Sequence, residues 1–178
     1  MNPNPESLFQ YLDQTRKLYS NYLFLEDNGQ NNIEALHGDL DSFKEAICSC
    51  QKCPLSQTRQ NFVFGVGNPQ ADIVFVGEAP GEQEDLQGIP FVGRAGKLLD
   101  KILAAIDLTR DDVYICNVLK CRPPNNRNPH PTEVEKCEPY LINQLKIIKP
   151  KLIVSLGRVS ACTLLKTNKS LKDLRNQQ

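Results

Sequence analysis

Four cysteines stand in two distant pairs: Cys50 and Cys53 with two residues between them, Cys121 and Cys137 with fifteen. Thiolates are soft ligands that suit iron–sulfur clusters and zinc. A [4Fe–4S] cube needs four cysteines held by loops, and a structural zinc site needs the same. Spacing alone does not separate them, although pairs this far apart are looser than a zinc ribbon and lean toward the cluster. Four unrelated core thiols are the plain alternative, since free cysteine is often buried. Cys48 is a competing ligand, while Cys116 and Cys162 read as core residues of a strand and a helix.

Between the pairs lies Gly77–Gly96, a glycine-rich segment carrying Glu78, Glu82, Glu84 and Asp85. Its glycines permit close approach of backbone to a ligand. Carboxylates beside a crevice orient water or stabilise a cationic transition state. Phe91, between Pro90 and Val92, is oddly placed for core packing and could stack on a flat ring. The bland alternative is a solvated acidic turn pinned by Phe91. A second loop, Asn117–Pro131, has no carboxylate and holds Lys120, Arg122, Arg127 and His130, which suits phosphate contact. Asn117 offers both a donor and an acceptor, as reading a base edge requires; otherwise it is a strand-terminal turn residue.

These loops need elements to position them. Ile73–Val76 is an apolar run stopped by Gly77, Val113–Val118 reads as a second strand, and Leu152–Leu156 as a third. Helices are expected over 96–106, over 132–148 from a cap at Thr132-x-x-Glu135, and over 159–165. This alternation predicts an α/β fold, a three-layer α/β/α with a central parallel sheet. Ligand crevices of such sheets lie beyond the C-terminal strand ends, where both loops emerge. Upstream, 1–46 is predicted to be a helical extension (apolar spacing over 6–25) with a flexible linker at 27–39 and a short helix near 41–47; 47–178 forms the main domain.

Bulk properties narrow the class. No apolar run approaches the ~18 residues of a membrane span, and no basic-then-apolar leader opens the chain, so no membrane partner and a cytoplasmic location are expected. Seven cysteines there argue against a disulfide framework. The net charge of +0 hides an asymmetry: 1–46 hold three basic and eight acidic side chains, 47–178 eighteen and thirteen. The second part is therefore able to attract phosphate.

Taken together, the cysteine pair at 50–53, GEAPGEQED at 77–85, GIPFVGRAG at 88–96, YICNVLKCRPPNNR at 114–127 and Cys137 resemble the family 4 uracil-DNA glycosylases, the iron–sulfur branch of that superfamily. The resemblance covers roughly 50–165. It implies a [4Fe–4S] cluster on Cys50, Cys53, Cys121 and Cys137, and hydrolytic release of uracil from DNA by a monomer. Phe91 would stack on the flipped base, Asn117 would bond its polar edge and exclude cytosine, and Ala79 would line the uracil site. Glu78, Glu84 and Asn126 match positions implicated in catalysis or pocket architecture. Arg94, Lys120, Arg122 and Arg127 would contact DNA.

The chain departs from the family in two ways. Ala79 stands where the best-known branch of the superfamily has a water-activating Asp, so another carboxylate must substitute. The family also continues to a further strand and a His-Pro-Ser/Ala motif, whereas the chain ends at Gln178, and neither His37 nor His130 sits in a matching context. The resemblance therefore implies a chain that lacks its final strand and a major transition-state donor. The rival readings are a catalytically impaired iron–sulfur module that binds DNA or a polymerase, a phosphate-binding α/β enzyme, and the same fold with structural zinc. Four carboxylates in the glycine loop repel phosphate and disfavour the second of these, and the absence of a long basic insertion after Cys121 disfavours a covalent DNA-binding relative.

Overall fold

The structure, a computed structural model, describes residues 38–175. The helix expected over 6–25 and most of the linker lie outside the described residues. The described part has four strands: β1 (Val66–Gly67), β2 (Ile73–Gly77), β3 (Tyr114–Asn117) and β4 (Leu152–Ser155). Their order is β1-β3-β2-β4. The β2 strand pairs in parallel with β3 and β4, while β1 adds to β3 antiparallel. The parallel centre is as the sequence predicts. The antiparallel edge was not expected, because two residues carry no periodicity.

Period-two side-chain alternation builds two cores from one sheet. Val74, Val76, Tyr114 and Cys116 face one way, onto α1 (Leu40–Ile47) and α4 (Pro131–Ile148). Ile73, Phe75, Val113 and Ile115 face the other, onto Leu99 and Leu103 of α3 (Arg94–Ala104). Three layers follow. Each fully buried aliphatic or aromatic side chain contributes about 1.5–3 kcal/mol. The α1 helix is capped by Asp39, whose Oδ1 accepts from Ser42 N at 2.8 Å. The α4 cap is not Thr132: His130 precedes the first turn, and Glu133 Oε2 accepts from His130 N at 2.8 Å.

A short helix, α2 (Glu82–Gln87), occupies the middle of the segment expected to be loop, and α5 (Arg158–Leu164) and α6 (Leu171–Arg175) follow β4. None of the helices among the described residues is long and apolar enough to cross a membrane.

From β2 the chain crosses to α3 on one face; from β3 it crosses to α4 on the other. The switch point therefore falls between the C-terminal ends of β2 and β3, where Gly77 and Asn117 are register partners.

Candidate active site

Gly77, Asn117 and Phe91 form a single corner at that switch point. A side chain on Gly77 would put its Cβ 2.3 Å from Asn117 Oδ1 and 2.5 Å from Phe91 Cζ, so only glycine leaves room there. The two loops expected beyond the C-terminal strand ends do bring Phe91 and Asn117 to the same place. Asn117 is 2 % exposed, and its Oδ1 is the buried side-chain N or O atom without a hydrogen-bond partner among the described residues. An orphaned buried acceptor costs about 1–3 kcal/mol, so it is a standing demand for a donor. Phe91 is half-buried, with its backbone in the left-handed region at φ 56°. That conformation is unusual for a bulky residue and marks a position held by its surroundings.

The carboxylates divide. Glu84 Oε1 accepts from Val92 N at 2.9 Å and Gly93 N at 2.8 Å, and Oε2 from Gly81 N at 3.1 Å. It shapes the loop around Phe91. Asp85 is buried and accepts from Gln60 N at 3.0 Å and Asn61 N at 3.3 Å, tying an earlier segment to α2. Glu82 is exposed, 3.8 Å from Arg122 Nη1. Glu78, one residue past β2, is half-buried, and burial raises its carboxyl above the ordinary range. Ala79 beside it packs against the α1/α4 core.

The cationic loop needs correction. Lys120 is fully buried, so it does not meet DNA. Its Nζ donates to Asn117 O at 2.7 Å and Gln144 Oε1 at 2.5 Å. Gln144 Nε2 in turn donates to Phe64 O at 3.0 Å and Tyr114 Oη at 3.3 Å. Burial lowers the Lys120 pKa, opposed by nearby Cys116, Cys137 and Cys121. Arg127 grips Glu133 with both ends of its fork, at 2.6 and 2.9 Å, and so braces the start of α4 rather than presenting a free guanidinium. Arg122 Nε holds Asn126 Oδ1 at 2.8 Å, which ties Asn126 to the cationic loop instead of to Phe91 or Asn117. Asn125 and Asn126 both take positive φ, which short amide side chains tolerate. Arg94 is exposed at the start of α3.

The four candidate cysteines converge on one core. Cys50 and Cys53 follow α1, Cys121 follows β3 and Cys137 lies on α4; all four are free thiols against the same core. Burial raises the Cys121 thiol, opposed by Arg59, with Cys53 and Cys50 close enough to add to the rise. Burial pushes Cys137 up to about 12, with Lys120 opposing and Cys121 and Cys53 adding. Donors aim at three sulfurs. Tyr140 Oη is 3.2 Å and Lys52 N 3.4 Å from Cys50 Sγ, Arg59 Nη1 is 3.2 Å from Cys121 Sγ, and Lys120 N is 3.3 Å from Cys137 Sγ. Arg59 and Tyr140 escaped the sequence reading; their only signal is one cation and one hydroxyl near cysteines in sequence. Among the described residues no three His, Cys, Asp or Glu side chains are grouped to hold a metal ion.

Comparison with known proteins adds independent findings. Residues 64–177 match the model of the uracil DNA glycosylase superfamily. A type-4 uracil-DNA glycosylase of Archaeoglobus fulgidus is 63% identical over 122 residues, covering 68% of this chain and 61% of the relative. Another, from Sulfurisphaera tokodaii, is 57% identical over 122 residues (68% and 56%), and one from Saccharolobus solfataricus 50% over 129 residues (72% and 60%). The chain thus spans about six-tenths of the length of these relatives.

Proposed function

We propose that this chain, which belongs to the uracil DNA glycosylase superfamily and to its type-4 branch, excises uracil from DNA by hydrolysing the N-glycosidic bond. The observation that carries the reading is the orphaned Asn117 Oδ1 beside the Phe91 ring. Uracil presents an N3–H donor to such an acceptor and a flat face to such a ring. Cytosine presents a bare N3. The target base must leave the stack, and that is cheapest where pairing is already weak.

As the C1′–N1 bond breaks, its electron pair goes to uracil N1 and spreads to O2 and O4. The sugar becomes oxocarbenium-like. Water oxygen then bonds to C1′ and gives up a proton. Glu78 is the carboxylate we assign to that side of the reaction, stabilising the sugar cation and accepting the proton. Glu84 holds the loop and Ala79 lines the floor. Asn126 and Arg122 shape the second loop, and Arg94 and Arg122 face the backbone phosphates.

The chemistry of the donor set supports a [4Fe–4S] cluster on Cys50, Cys53, Cys121 and Cys137: four free thiols against one core, with N–H and O–H donors directed at three of the sulfurs, though among the described residues the side chains are not themselves grouped as a metal site. Its contribution would be structural, tying the segment after α1 to α4 and the second loop. The enzyme would work as a monomer in a reducing cytoplasm.

The test is incubation of the protein containing residues 1–178 with a single-uracil oligonucleotide, followed by alkali. Strand breaks at uracil only are expected; none at uracil would overturn the reading. Glu78→Gln should lower kcat by ~10²–10⁴-fold. Glu78 acts as its anion, so activity should fall as pH drops through its raised pKa, and the variant should lack that limb. A raised folded pKa means that the folded state holds the proton more tightly, so stability declines as pH rises through it. The substitution should therefore leave Tm at neutral pH unchanged or higher. Arg94→Ala should weaken DNA binding evenly across sequences and reduce the salt slope by about one unit, read from binding isotherms at several salt concentrations.

A further inference from the structure

We infer that Arg110 is a positioning residue for base stacking, acting through the backbone of Phe91; this rests on the proposed role of Phe91. Arg110 lies between α3 and β3, outside every motif that the sequence singles out. Its Nη1 donates to Pro90 O at 3.1 Å, its Nη2 donates to Phe91 O, and its Nε donates to Asp100 Oδ1 at 2.6 Å. One planar fork thus fixes two consecutive carbonyls, while a carboxylate of α3 aims the fork. Two consecutive carbonyls held together fix the two peptide planes that flank the Phe91 Cα, and with them the direction in which the Phe91 ring leaves the chain.

The held residue is the one that needs holding, since Phe91 sits at φ 56°. The other side of its carbonyl is closed by Gly96, where a Cβ would lie 1.7 Å from Phe91 O. The first turn of α3 is therefore pressed against the same carbonyl that Arg110 grips. Released from the fork, Phe91 has a reason to relax toward negative φ, and its ring would swing away from Gly77 and Asn117. A lysine supplies the charge without the two-pronged geometry and cannot hold both carbonyls in one plane.

The test is a double-mutant cycle on single-turnover excision by the protein containing residues 1–178, with Arg110→Met, Phe91→Ala and the pair. Arg110→Met alone should lower kcat/KM roughly tenfold. In the Phe91→Ala protein the same change should cost less than about twofold. Tm should fall equally in both backgrounds, which separates positioning from general stability. Arg110→Lys should recover Tm more fully than turnover. Asp100→Asn, a milder change, guards against misfolding and should give a smaller loss that again requires Phe91. An equal loss in both backgrounds, or no loss from Arg110→Met, overturns the inference while leaving the stacking role intact. If Phe91→Ala itself leaves excision unchanged, the stacking role fails and the inference falls with it.

Discussion

Asn117→Asp should lower kcat/KM for uracil excision by about 10²–10³-fold and narrow the preference for uracil over cytosine. The change removes the amide donor and places a second acceptor, with negative charge, against a base whose polar edge carries two carbonyl oxygens. Cytosine brings an amino group at the same edge, so the new carboxylate repels uracil and accepts from cytosine. The corner is built to make this difference large. Asn117 is buried, its main-chain carbonyl is held by Lys120 Nζ at 2.7 Å, and its side-chain oxygen occupies the space that a Cβ on its register partner Gly77 would need. Matched oligonucleotides with uracil or cytosine at one position provide the measurement. Unchanged discrimination would remove Asn117 from the site.

Cys121→Ser should lower stability by more than ~3 kcal/mol, a fall of about 6–12 °C in Tm for a chain of this size, and abolish the visible absorbance of a cluster. Residual protein should keep its preference for uracil. Cys121 sits where three separate parts of the chain meet. Arg59 reaches it from beyond the first pair while also holding Cys50 O at 2.8 Å and Cys48 O at 3.1 Å, and Cys137 approaches from α4. On the proposed cluster, losing one ligand would leave three thiols and an arginine around a group that could no longer form properly. Thermal melts and iron content, compared with the parent protein, decide it. A variant as stable as the parent would contradict the structural role.

What the sequence made legible follows from where side chains alternate or repeat. The central strands announced themselves because Ile73–Gly77 and Tyr114–Asn117 are buried along their whole length, and such runs are hard to mistake. Phe91 and Asn117 were visible as misfits, an aromatic among glycines and an amide at the end of an apolar run. The α2 helix was hidden because Glu82–Gln87 is short and polar and is bounded by glycines. Lys120 misled for a physical reason: a basic residue in a polar loop looks solvated, and only the packing of α4, through Gln144, reveals the buried acceptor that holds it. Arg110 and Arg59 were invisible for the same reason. Apart from Asp100, their partners are main-chain carbonyls and a thiol far away or featureless in sequence, and such contacts leave no pattern.

The central claim is that Gly77, Phe91 and Asn117 together make the seat for an extruded uracil, and a crystal structure of the protein with free uracil tests it most directly. The prediction is a ring lying against Phe91 with its N3 at hydrogen-bond distance, about 2.9 Å, from Asn117 Oδ1. Uracil bound elsewhere, with that oxygen still unpaired, would contradict it.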